Sequence, residues 1–371
     1  MTAGRAGRYH RVVVDVLRFS APRWLVGLGL LVLGCLAAPV PARAATSSFD
    51  VGDQVWVQIA VRGKGNELAV RTWDRSTVQV DSGDDAPAIE RRSITTGTPQ
   101  YPLSALLPPF AWSQRADGQV TQGIFPPEDF PFAPLRPGPH DLIRVTADDG
   151  ARLVVTVPAN TGVLRVLVGA GVTAIEGYRG ANLFVIQGAG RVQLSGVGTT
   201  AFAQMSYGTL YASDSAFDRI RVRAIDTHVV FEHCRSKQIE TSTISGSIVY
   251  DGGTFDPGLA RFESQSGNIA LGAAGAAQLS GRSGDGRVYT WVQRRASTDQ
   301  HGDGEASLTV GGSGPLVNAI STHGNVYLYD GTLASRRNVA PEWRGVHQLF
   351  TSRRRAAAPR AGIFAIPRRR V

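Results

Sequence analysis

Glu232 and Asp251 are the first residues to weigh for chemistry, because each sits five residues after a recurrent turn position, Thr227 in one case and Gly246 in the other. If those turns mark adjacent coils, the two carboxyls lie close enough to share a proton or a cation. A retaining glycosidase needs its carboxyls about 5–5.5 Å apart and an inverting one needs more, so sequence spacing alone does not separate them. The plain reading, which we take as the expectation, is two ordinary solvent-facing surface residues. His228, His233 and Cys234 bring nitrogen and sulfur into one coil. Zinc needs three or four convergent ligands, and no second cluster supplies the rest. Gly284-Asp285-Gly286 and Gly302-Asp303-Gly304 lack the tandem spacing of calcium-binding nonapeptides and read as turns. No Gly-x-Ser-x-Gly elbow, His-Glu-x-x-His pair or phosphate loop occurs. The expectation is therefore no catalytic residues, no metal and no cofactor.

The elements that would position these residues repeat. Turn-and-strand phrases begin at Gly171, Gly190, Gly208, Thr227, Gly246, Gly267, Gly286 and Gly324, spaced 19, 18, 19, 19, 21, 19 and 38 residues. The last gap counts as two turns of 19. Such a period carrying alternating strands signals stacked coils that bury their apolar faces on one another. Two residues after each start stand Val192, Leu210, Val229, Ile248, Ile269, Val288 and Val326; four after stand Leu194, Ala212, Phe231, Tyr250, Leu271, Thr290 and Leu328. Alternate strand residues share a face, so both columns are expected inward and the positions between them mostly toward water. A preceding strand adds the inward column Val185, Ala203, Val222, Thr241, Phe262 and Ala319, with Arg221, Glu240 and Arg261 as an outward alternating-charge ladder.

Along the chain, Arg5, Arg8, Arg11, Arg18 and Arg23 precede the apolar run 24–38, then Ala42-Arg43-Ala44. Residues 1–44 thus have the layout of a secretory signal peptide; retention as an anchor and lipidation at Cys35 are the alternatives. Only Cys234 remains after the leader, so no intramolecular disulfide is possible. Residues 45–97 read as an N-terminal β cap with hairpin-like strands, and 98–141 as a proline-rich insertion that packs as a flap or offers a docking surface. Residues 142–335 carry the repeats, with 294–306 as a protruding loop and Ser307-Leu308-Thr309-Val310 resuming the stack. Residues 336–371 form a basic tail expected to be disordered. The whole chain has 39 Lys and Arg against 30 Asp and Glu, but residues 45–352 have 26 against 29. The basic character belongs to the ends, which argues against a specific nucleic-acid groove. Arg353, Arg354, Arg355, Arg368, Arg369 and Arg370 are candidate contacts for an anionic polymer or lipid headgroups.

Four stretches together, Leu68-Ala69-Val70-Arg71-Thr72-Trp73-Asp74-Arg75-Ser76-Thr77-Val78-Gln79-Val80, Val155-Thr156-Val157-Pro158-Ala159, Thr243-Ile244-Ser245-Gly246-Ser247-Ile248 and Ser264-Gln265-Ser266-Gly267-Asn268-Ile269, resemble the bacterial "putative adhesin" domain. The likeness spans about residues 50–330, and the proline-rich insertion and arginine-rich tail depart from it. The resemblance implies an all-β, right-handed parallel β-helix-like solenoid of about 19 residues per coil, an extracytoplasmic place and no catalytic residues. The expected function is an exported, secreted, periplasmic or cell-surface protein that adheres by surface contact. Its partners would be envelope polysaccharide or another surface protein, with membrane contact only through an uncleaved or lipidated N-terminal segment or the basic tail. The alternatives are a carbohydrate-active enzyme on a similar scaffold and an envelope scaffold that holds anionic polymer through its tail.

Overall fold

A computed structural model of the chain describes residues 45–83, 85–96, 113–114, 120–121, 132–292, 295–297 and 304–333. The expected leader, most of the proline-rich segment and the tail arginines at 353–355 and 368–370 lie outside the described residues. Among those described, the chain is all-β without a helix, and 21 of its strands join one sheet.

The centre consists of the long strands Val163–Glu176, Asn182–Ser195, Gly198–Ser213 and Ala216–Glu232, each one pass, or rung, across the stack. They pair in parallel and in chain order. Val166 stands beside Val185, then Ala203, then Val222, while Ile175 stands beside Leu194, Ala212 and Phe231. β-Branched and aliphatic residues at alternate positions suit a pleated surface with one fully buried face. All fourteen positions of the two columns that follow the turns are buried, from Val192 to Thr290 and Leu328, and Val185, Ala203, Val222, Thr241, Phe262 and Ala319 join them. Each aliphatic side chain so buried contributes about 1.5–3 kcal/mol.

The rungs bend at a glycine. Gly190 and Gly208 have φ of 108° and 123°, and a Cβ on either would stand 2.0 Å from the carbonyl oxygen of the glycine one rung below. Only glycine permits both that backbone conformation and that approach.

Both ends of the stack differ from the expected simple succession. Residues 56–73 are not part of a cover: Trp56–Val61 pairs in parallel with Gly138–Ala147 on one side and Val163–Glu176 on the other, and Asn66–Trp73 lies between Arg152–Pro158 and Val163–Glu176. The cover is made of antiparallel strands: Ala88–Thr96 lies on Gly138–Ala147, and Thr77–Ser82 on Arg152–Pro158, with Ala45–Asp50 beyond it. The far end is built the same way. Ile269 pairs with Val326, 57 residues on, and Val326 pairs in turn with Val288. Leu316–Ser321 likewise slots between Ala260–Ser264 and Ala277–Ser283.

The gap between Gly286 and Gly324 is therefore no double turn of the stack. Arg295–Ser297 and Glu305–Val310 leave the parallel array to pair antiparallel with Val288–Val292 and Ala277–Ser283. Residues 307–310 thus close the last rung and do not resume the stack. The physical reason is common to both ends, since an open rung would leave a row of unpaired backbone groups.

Candidate functional site

Alternation along each strand turns Arg221, Glu240 and Arg261 outward, and register sets them side by side on successive rungs. Arg221 Nη2 donates to Glu240 Oε1 at 3.0 Å, and Arg261 pairs with Glu263 on its own strand. Two residues further along the rungs, Arg223, Ser242 and Glu263 form a parallel row. Together these residues line a shallow depression on the outside of the sheet. Three guanidinium groups against two carboxylates leave it one positive charge in excess, and rungs about 4.8 Å apart repeat its donors at a fixed spacing. Such a surface can hold a hydroxyl-rich or anionic polymer through many weak contacts, each exposed pair contributing at most about 1 kcal/mol.

The carboxylates singled out from the sequence lie elsewhere. Glu232 and Asp251 are register neighbours, as their spacing suggested, but both are buried, at 2% and 0% exposure, and are not surface residues. Their strand positions do point away from the main core. What defeats the surface reading is that this outer face is itself covered. Val230, Val249, Ala270, Trp291, Tyr327, Tyr329 and Leu333 form a second buried cluster there, with Tyr211 and Tyr289 packed on it. The sequence held the signal, because six of the seven positions between the inward columns, Tyr211, Val230, Val249, Ala270, Tyr289 and Tyr327, are aliphatic or aromatic.

The Tyr211 hydroxyl donates to Glu232 Oε2. Asp251 accepts from the Tyr329 hydroxyl at 2.8 Å, from the Leu333 amide at 2.7 Å and from Thr332 Oγ1. Tyr329 reaches Asp251 across the intervening rung because its register neighbour is Gly272, where a Cβ would stand 2.0 Å from the ring. Asp251 therefore fastens residues 329–333 to a rung two levels away.

The nitrogen and sulfur groups do not converge. His228 Nδ1 accepts the Ser247 amide at 3.1 Å, whereas His233, with φ of 52°, stands 3.8 Å from Asp214 at a corner. The Cys234 thiol is buried within 3.5 Å of the Ala212 and Glu232 carbonyl oxygens, and burial pushes it up to about 12. Among the described residues no three His, Cys, Asp or Glu side chains form a group able to hold a metal. Asp285 meets His323 of the neighbouring rung.

A further group lies where residues 132–133 of the proline-rich segment pack on the coils. On the outer face of the first rungs, Trp56, Leu142, Val163, Phe184 and Phe202 form a third buried cluster, and Phe132 lies on Phe184 with ring centroids 4.6 Å apart. Asn182 clamps the same segment, accepting from the Ala133 amide at 2.9 Å and donating to its carbonyl at 3.0 Å. Gln58 and Arg165 sit within this covered face at 0% and 3% exposure. Each is the sole polar residue of an apolar run, Trp56–Val61 and 163–168, and that isolation is the trace it leaves in the sequence.

No family model and no curated protein matches the chain. Among solved structures, a crystal structure described as a putative cell adhesion protein from Clostridium sporogenes aligns with 78% of this chain and 100% of its own, at 6% identity and a TM-score of 0.26. A likeness at that score carries no argument about fold or function. Among the described residues, no helix is long and apolar enough to cross a membrane.

Proposed function

We propose that the chain is an exported, right-handed β-solenoid of about 19 residues per coil that acts without catalysis, as an adhesin-like contact surface for envelope polysaccharide. The observation that carries this reading is the outward row Arg221, Glu240 and Arg261, backed by Arg223, Ser242 and Glu263 and repeated at rung spacing. A leader-like N-terminus supports the extracytoplasmic part of the reading. The parallel offsets of 18, 19 and 21 residues support the coil length.

The test is binding of the purified full chain to acidic and neutral polysaccharides and wall fragments, with reducing-sugar release followed in the same wells. Salt-sensitive binding without release is expected, weakened in an Arg221→Ser, Arg223→Ser, Arg261→Ser variant. Reproducible release of reducing sugar by the wild-type chain would replace this reading with an enzymatic one.

A further inference from the structure

Six large apolar side chains of the described residues are exposed, and five of them, at 37% to 53% exposure, stand around the charged depression. Ile225 and Ile244 follow Arg223 and Ser242 by two residues and so share their outward face. They lie on successive rungs, where the Ser245 amide donates to the Ile225 carbonyl. Leu259 precedes Arg261 by two residues, on the other side of the depression. The Ala260 and Val317 pairing, carried one residue back, sets Leu316 beside it, and Ile320 is the register neighbour of Glu263. Gln238 is level with Leu259 and precedes Ile244 by six residues. The isoleucine pair and the leucine pair are therefore about 20 Å apart along the strands, at about 3.3 Å per residue.

This layout narrows the choice of partner. Protein interfaces enclose an apolar core within a polar rim. Here the order is reversed, with charge at the centre and apolar side chains at the margin. A bilayer takes up a continuous apolar surface, whereas arginines and carboxylates divide these pairs. The match is a polymer with a charged spine and small apolar substituents set apart along it. The excess of guanidinium over carboxylate in the depression calls for an anionic spine, and arginine favours carboxylates. Each exposed pair offers a patch suited to one acyl group.

We propose that this face selects an O-acylated acidic polysaccharide, with sugar carboxylates on Arg221, Arg223 and Arg261 and acyl methyls on the pair Ile225 and Ile244 and the pair Leu259 and Leu316. The inference rests on the contact-surface reading above and adds to it the chemical class of the polymer.

The test uses the purified full chain. Binding isotherms at low salt are measured on O-acetylated alginate and O-acetylated polygalacturonate, each beside the same polymer after mild alkaline de-O-acetylation, and on vesicles of phosphatidylglycerol and phosphatidylcholine. A methyl group taken out of water is worth about fourfold in affinity, so at least about fourfold tighter binding of the acetylated form is expected for one or both polymers. Leu259→Ser, Leu316→Ser and Ile225→Ser, Ile244→Ser double variants should each shrink that preference, while binding the de-O-acetylated form within about twofold of the wild type. The Arg221→Ser, Arg223→Ser, Arg261→Ser variant should weaken both forms alike.

Equal affinity for the acetylated and de-O-acetylated forms of both polymers, or a preference that survives in both serine double variants, would overturn this inference and leave the charged-row reading standing. Binding to neither polymer, or tighter binding to the vesicles than to either, would overturn both.

Discussion

Replacing Asp251 by alanine should free the C-terminal end of the stack while leaving the central rungs folded. The side chain accepts three hydrogen bonds, from the Tyr329 hydroxyl, Thr332 Oγ1 and the Leu333 amide, in a place where Asp251, Tyr329 and Leu333 are all at 0% exposure. Hydrogen bonds to a charged acceptor are worth about 1.5–3 kcal/mol each, and the stranded donors cannot turn to water. Against that gross loss stands the relief of burying a carboxylate, so the net cost is about 3–5 kcal/mol. Asp251→Asn should cost only about 1–2 kcal/mol. Its Oδ1 still accepts from Tyr329 and Leu333, and its amide group can donate to the Thr332 hydroxyl, which also accepts. Long stacked arrays need not unfold in one step, so a global midpoint is a poor readout. Hydrogen exchange of peptides covering 326–333 is the right assay, with peptides from 182–232 as the internal control. Alanine should speed exchange at Leu333 by a factor of at least 100, and asparagine by about 10, a tenfold change corresponding to about 1.4 kcal/mol. Unchanged exchange at Leu333 in the alanine variant would refute the anchoring role.

Ile248→Asp would set an unpaired charge between Val229 and Ile269 at 0% exposure, and urea titration should show a loss of more than about 4 kcal/mol; near-wild-type stability would sink the assigned register. Gly272→Ala should displace the Tyr329 ring and cost about 1–3 kcal/mol by circular dichroism melting, with Tyr329→Ala in the same background recovering little. Cys234 should resist alkylation at pH 8 in the native protein and react fully in urea, as read by mass spectrometry of its peptide. An unfolded thiol ionises near 9.0, whereas the native one stays neutral to about 12. The unfolded state therefore gives up its proton first, and this contribution to stability is whole below pH 9 and is lost as the pH climbs toward 12.

What was legible in the sequence follows from what a local pattern can encode. Val192, Leu210, Val229, Ile248, Ile269, Val288 and Val326 announce their burial because alternation with a fixed turn residue is a property of each rung by itself. The order of rungs is not such a property. Nothing in Val326-Tyr327-Leu328 says that its partners are Ile269 and Val288, since any rung of this pattern fits beside any other. The same holds for Trp56–Val61, which reads as a hairpin strand until Val163 and Leu142 are found on either side of it. Parity puts Glu232 and Asp251 on the outward face, which is where they are, but parity carries no information about the second apolar layer that separates that face from solvent. Arg165 and Gln58 are each the sole polar residue of an apolar run, and a lone charge in a fully buried strand is itself a signal.

The intercalated rungs at the C-terminal end carry a mechanical consequence. A stack whose chain ends lay on its outermost rungs would come apart under tension by peeling, one row of hydrogen bonds at a time and at low force. Here the last described strand, Val326–Asp330, is gripped on both edges by parallel neighbours, whereas the first, Ala45–Asp50, lies against Thr77–Ser82 alone among the described strands. A pull along Val326–Asp330 must slide it against two strands at once, loading both rows of bonds in shear. A protein that holds a surface under flow would gain from that wiring, because the load is shared before any rung is lost.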